Sequence, residues 1–183
     1  MVDHLVMVNG LPAAGKSTLA TALASAMCAP LVSKDAIKEA LADVVGAAPG
    51  SALGPVAMEA AWSIAASIRG TVVMESWWFK PRDIDYVRAG LDRCGAGAVV
   101  EVWCDVPADV ARRRLAARRR HPVHDDARRL EESWTEWAAL AEPLGVGRTI
   151  RIDTASPVDI GDLAQRLLRT LTSGATSGPE LGA

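Results

Sequence analysis

The stretch Leu5–Leu23, LVMVNGLPAAGKSTLATAL, constrains the fold of this chain more than any other. An apolar run, Leu5–Val8, leads into Gly10-Leu-Pro-Ala-Ala-Gly15-Lys16-Ser17, after which Leu19, Leu23 and Met27 recur at helical spacing. A strand must therefore pass through a glycine-bearing loop straight into a helix. Such a loop can turn its N–H groups toward one point, and the helix behind it adds the positive end of its dipole. The pattern G-x-x-x-x-G-K-S in this context is a phosphate cradle. Gly10 opens it, the amides of Ala13, Ala14, Gly15, Lys16, Ser17 and Thr18 surround the phosphate oxygens, Lys16 reaches the outer phosphates, and the Ser17 hydroxyl meets Mg²⁺. A nucleoside triphosphate site is expected.

The remaining chain repeats the alternation. Further short apolar runs lie at Leu31–Ser33, Thr71–Glu75, Ala98–Val106 and Arg148–Asp153, and read as strands buried on both faces of a parallel sheet. Helical patterns separate them at Ser17–Cys28, Asp35–Val45, Pro55–Arg69, Ile84–Cys94, Ala108–Arg120, Asp125–Ala141 and Val158–Leu171. Strand–helix alternation implies an α/β fold with helices on both faces, and ligands beyond the carboxyl ends of the strands. Gly46–Pro55, GAAPGSALGP, reads as a loop, and Ser173–Ala183 as a disordered tail.

Composition closes off several alternatives. With 183 residues, 50% hydrophobic and 23% charged, one domain with a full core is expected. The formal net charge of −2 offers no bulk attraction to nucleic acid or to an anionic membrane. Cys28, Cys94 and Cys104 are far apart and odd in number, which argues against a disulfide framework and suits a reducing cytoplasm. No apolar run approaches the ~18 residues of a membrane span, and Asp3 and His4 interrupt a signal-peptide pattern. A cytoplasmic protein is expected, and ATP rather than GTP, because the only string near the Asn-Lys-x-Asp base reader of GTPases is SKD at Ser33–Asp35, too early and with the wrong first residue.

Three stretches, GLPAAGKST, VSKDAIKEAL and EVWCDVPADVARRRLAARRRHPVH, give the chain a resemblance to the small P-loop kinases grouped with AAA-family ATPases. Their relatives include chloramphenicol phosphotransferase, the zeta toxins and phage polynucleotide kinase. The resemblance runs from about Met1 to Leu171. It implies a three-layer α/β/α P-loop fold, a five-stranded parallel sheet in the order 2-3-1-4-5, and a kinase domain over residues 1–172 with a helical lid at about 111–129. The implied activity is ATP- and Mg²⁺-dependent transfer of the γ-phosphoryl group to a hydroxyl of a small molecule: a sugar, nucleoside or antibiotic.

By the same resemblance Asp35, just after the second strand, accepts or orients the acceptor's hydroxyl proton. The residues alone favour a helix N-cap instead. Lys38, one turn on, is a candidate to hold the acceptor or a solvated surface lysine. Glu75 ends the third strand where relatives carry an acid that supports Mg²⁺, commonly Asp. The nucleoside monophosphate kinase string Asp-Gly-x-Pro-Arg is replaced here by ESWWFKPR. Trp77 and Trp78 leave that strand together, and adjacent residues cannot easily both face inward, so at least one is a candidate wall of the acceptor pocket.

Ala111–Arg129 holds eight arginines. A solvated basic helix and a nucleic-acid surface are the alternatives to a lid whose arginines neutralise the transferring phosphoryl group. Arg114 and Arg118, four apart, are the first candidates to face inward from one helix, then Arg119 and Arg120. His121 and His124 are expected in the lid turn rather than in a metal site. Trp134 and Trp137 fall at core spacing, with a pocket role as the alternative. The loop DTASP, Asp153–Pro157, borders the adenine by resemblance alone. The rival activities are a polynucleotide 5′-hydroxyl kinase and a non-kinase ATP-binding switch.

Overall fold

The computed structural model describes residues 2–46 and 50–174. Five strands, β1 (Val2–Asn9), β2 (Leu31–Ser33), β3 (Gly70–Glu75), β4 (Ala98–Asp105) and β5 (Arg148–Asp153), form one parallel sheet in the order β2-β3-β1-β4-β5. That is the order the resemblance implied. Alternate residues of β1 enter different cores. Val6 and Val8 pack with Leu19 and Leu23 of α1 (Lys16–Ala26) and with Leu163, Leu167 and Leu171 of α8 (Ile160–Gly174). Leu5 and Met7 pack with Met58 and Trp62 of α3 (Gly50–Ser67) and Val87 of α4 (Lys80–Cys94). Burial on both sides is why the strand reads as an unbroken apolar run. Each leucine buried in this way stabilises the fold by about 1.5–3 kcal/mol.

Register places the strand ends side by side. Glu75 pairs with Val8 on one side and with Ser33 on the other. The carboxyl ends of β1, β3 and β2 therefore deliver the glycine-rich loop, Glu75 and Ser33 into one row. α2 (Lys34–Val45) starts directly from β2 and packs on α3.

Four segments depart from the sequence reading. The expected loop 46–55 is helical from Gly50 onward, with Pro55 inside α3, while 47–49 lie outside the described residues. A proline removes one helical hydrogen bond, a cost that the packing of Leu53, Ala57 and Met58 in the core offsets. Helix α5 (Ala108–Ala117) stops before Arg118, which is extended at φ −74°, ψ 147°. The expected single helix 125–141 is two, α6 (Asp126–Glu132) and α7 (Trp134–Leu140), broken at Ser133. Of the expected tail, Ser173 and Gly174 belong to α8 and 175–183 lie outside the described residues.

Candidate active site

The loop after β1 is held open by backbone conformations that few residues tolerate. Gly10 has φ +143°, and a Cβ there would stand 2.7 Å from the Cys104 carbonyl oxygen. Gly15, at φ +89°, precedes α1 as its N-cap. Ala13 also lies at positive φ, +64°, where a Cβ costs about 1–2 kcal/mol. Ala13, Gly15, Lys16, Ser17 and Thr18 line a cavity of about 950 Å³, whereas Ala14 is fully buried and is fixed from behind by a 2.6 Å bond that Thr154 Oγ1 donates to its carbonyl. Lys16 Nζ donates to the carbonyls of Gly10 (2.9 Å) and Leu11 (2.8 Å). Burial pulls the pKa of this ammonium down, against the attraction of Glu75.

Beside Lys16, one carboxylate oxygen gathers two hydroxyls. Glu75 Oε1 accepts from Ser17 Oγ at 3.2 Å and from Ser33 Oγ at 2.8 Å. This hard-oxygen set suits Mg²⁺, which takes a hydroxyl and water-mediated carboxylate contacts and draws most of its shell from phosphate and water. Among the described residues no group of three or more His, Cys, Asp and Glu side chains could hold a metal unaided.

Asp35 is not a helix cap. Ser33 caps α2, its Oγ accepting from the Ala36 N–H, and Asp35 is the second helical residue. Its carboxylate lines the cavity and meets Arg120 Nη1 at 2.8 Å and Lys34 Nζ at 3.4 Å. Burial alone would raise its pKa. Lys34, Arg120 and His124 outweigh that and hold it well below the usual carboxylate range.

The lid turns its arginines inward by a route other than one helical face. Arg114 projects from α5 and donates to the Thr154 carbonyl at 3.2 Å. Arg118 and Arg120, beyond the helix, both clamp Asp126 of α6: Arg118 Nε at 2.9 Å, Arg120 Nη2 at 2.7 Å. Arg114, Arg118, Arg120 and Arg129 line the cavity, while Arg119 is exposed. The 3₁₀ turn Pro122–His124 rests on α2, where Glu39 Oε1 lies 2.7 Å from His124 Nε2 and Asp43 Oδ1 lies 3.1 Å from His121 Nε2.

Lys38 is fully buried under this turn and donates to the Val123 carbonyl at 3.0 Å. It is absent from the cavity wall, so the expectation that it holds the acceptor, or is solvated, gives way to a role in seating the lid. Burial, with Lys34 nearby, pulls its pKa down to about 8. Trp77 and Trp78 both line the cavity and both reach a core, contrary to the expectation that they could not. Trp77 stacks edge-on to Trp137 on the α1 side, and Trp78 lies against Trp62 on the α3 side. Consecutive residues point to opposite faces, and here both faces are covered. Trp134 and Trp137 are core.

Residues 5–144 match the family model AAA_33, an AAA domain. The chain belongs to that family. Comparison with curated proteins gives no match. Among solved structures, a candidate kinase from Chloroflexus aurantiacus is similar at TM-score 0.73 and 24% identity over 91% of this chain and 97% of its own. A gluconokinase from Sinorhizobium meliloti gives 0.57 and 22% over 94% of each chain. A shikimate kinase from Bacteroides thetaiotaomicron gives 0.56 and 20% over 92% of this chain and 98% of its own. The AAA domain described here thus has the P-loop kinase fold.

Sequence reasoning missed four contributors to this AAA domain's site. Ser33 was legible as a capping residue before a helix. Glu101 sits inside an apolar strand, where a lone polar residue was the signal, and Asn9 ends β1 directly before the glycine-bearing loop. The Asn9 side chain accepts from the N–H groups of Gly10 (2.8 Å) and Trp78 (3.1 Å) and donates to the Trp78 carbonyl (3.2 Å) and Glu101 (3.0 Å). Glu101, with no exposed surface, also accepts from the N–H groups of Leu144 and Gly145. Arg129 carried no signal separating it from the other arginines.

Proposed function

We propose that this AAA domain transfers the γ-phosphoryl group of ATP to a hydroxyl of a small organic acceptor such as a sugar, nucleoside or antibiotic. The observation that carries the reading is one cavity lined together by the loop amides, Lys16, Ser17, Glu75, the Asp35 carboxylate and the inward lid arginines. Loop amides and Lys16 hold the triphosphate, while Ser17 and Glu75 would hold Mg²⁺, whose charge screens the phosphates when bound. Asp35, ionised across the working pH range, accepts a hydrogen bond from the acceptor hydroxyl. As the new O–P bond forms and the bond from γ-phosphorus to the ADP oxygen breaks, the hydroxyl proton passes to that carboxylate. Arg114 and Arg118 neutralise charge on the phosphoryl oxygens in a site from which the lid excludes water.

Two further facts support a small acceptor. Relatives in fold carry the names gluconokinase and shikimate kinase. Of the exposed arginines in the segment 111–129, Arg113 and Arg128 are engaged by Asp109 and Asp125, and the formal net charge of −2 offers no bulk attraction to nucleic acid. The test is Asp35→Asn: acceptor-stimulated ADP release should fall about 10²–10⁴-fold, with calorimetric ATP affinity unchanged. Full activity in this variant would remove Asp35 from the reaction.

A further inference from the structure

The cavity is rich in positive charge, and nearly all of it is accounted for. Arg82 closes on Asp83 at 2.7 Å, Arg118 and Arg120 close on Asp126, and Lys34 on Asp35. Lys16 and Arg114 rest on backbone carbonyls at the phosphate end, where the triphosphate would take them up. Arg129 is different. It is half-buried, it lines the cavity, and among the described residues its guanidinium has neither a hydrogen bond nor an ion pair.

It borders this cavity from α6, and it also borders a second cavity, of about 510 Å³, lined by the turn Pro122–His124. The charges that bear on its guanidinium are those of Arg120, Asp35, Asp126 and Arg82, none of them in the phosphate loop. Burial, then Arg120, pulls its pKa below the ordinary arginine value, with Asp35 and Asp126 opposing. On the same helix Asp126 already serves two arginines and has no oxygen to spare for a third. A half-buried cation facing other cations is costly unless an anion joins it. A planar fork of donors lining a cavity that also has apolar and aromatic walls, Met58 and Trp78 among them, is suited to a carboxylate or a phosphate.

We propose that Arg129 is the anion-recognising residue of the acceptor site, so that the acceptor is a small alcohol bearing a carboxylate or phosphate in addition to the hydroxyl that is phosphorylated. This rests on the phosphotransferase reading, and the experiment separates the two. The full chain, with its nucleotide site saturated by a non-hydrolysable ATP analogue and Mg²⁺, is titrated calorimetrically with two matched series. These are glucose, gluconate and glucose 6-phosphate, and glycerol, glycerate and glycerol 3-phosphate.

In at least one series an acid should bind ten-fold or more tightly than its neutral counterpart, and the better of the two acids identifies the anion. Arg129→Gln should erase the preference and Arg129→Lys restore part of it. Because Arg129 has no partner to orphan, the melting temperature of Arg129→Gln should stay the same or rise. Absence of any acid preference, or a preference that survives Arg129→Gln, overturns the proposal. ADP release on the same panel is read separately. An acid that binds through Arg129 but never receives phosphate sinks the phosphotransferase reading and leaves the anion site standing. Preferential transfer to the neutral members does the reverse.

Discussion

Arg120 joins two carboxylates of different duty, Asp35 in the cavity and Asp126 in the lid, at 2.8 and 2.7 Å. Its charge helps hold Asp35 ionised against burial, so its loss must raise the Asp35 pKa. A general base fails when protonated, so in the role proposed for Asp35 activity is lost on the acidic side of its pKa. The acid limb of kcat/KM should lie below the range in which the native protein can be assayed, and Arg120→Gln should move that limb upward into it. A pH–rate profile unaltered by the substitution would separate the ion pair from catalysis. Asp35 also shows how far sequence alone reaches. Carboxylate, helix start and strand end were legible, but whether it capped the helix was settled by Ser33, two residues earlier, taking that position.

Among the elements, α4 shows a constraint that its sequence pattern conceals. Gly90 sits mid-helix, where alanine would be favoured by up to about 1 kcal/mol on propensity. A Cβ there, however, would overlap the fully buried Trp62 ring on α3. Ring atoms inside a packed core cannot yield as a flexible chain end does, and overpacking costs about 1–3 kcal/mol. Gly90→Ala should therefore destabilise the fold by up to about 2 kcal/mol net, measured by urea denaturation. A gain in stability would show that the two helices can separate at no cost. The positions of β1, β3 and β4 were legible because two-sided burial writes itself as apolar runs, whereas β5, at the sheet edge, buries only Ile152 and does not fit the expected two-sided burial. The lid was not legible: Arg114 and Arg118 have helical spacing, yet Arg118 leaves the helix to meet Asp126, a partner eight residues ahead that no local periodicity announces.

For the molecule as a whole, acid should loosen the lid first. Arg120 and Arg118 outweigh burial and hold Asp126 down to about 2. A carboxylate depressed in the folded state adds stability that is complete above its unfolded value of about 3.9 and disappears as pH falls through the folded one. Thermal melts should thus lose on the order of 2 kcal/mol between about pH 5 and pH 2, a loss that Asp126→Asn should largely remove by incurring it already at neutral pH. Mg²⁺·ATP at a hundred times its dissociation constant should raise stability by about 2.7 kcal/mol, and Lys16→Ala should cancel most of that gain. Within this frame the Asn9 carboxamide uses both its donor hydrogens and both its acceptor lone pairs, tying Gly10, Trp78 and Glu101 to one side chain. The start of the glycine-rich loop and the tryptophan-bearing end of β3 are thereby machined as a single piece. In the phosphotransferase proposed above, the alignment of the two reactants would thus be built in before either arrives.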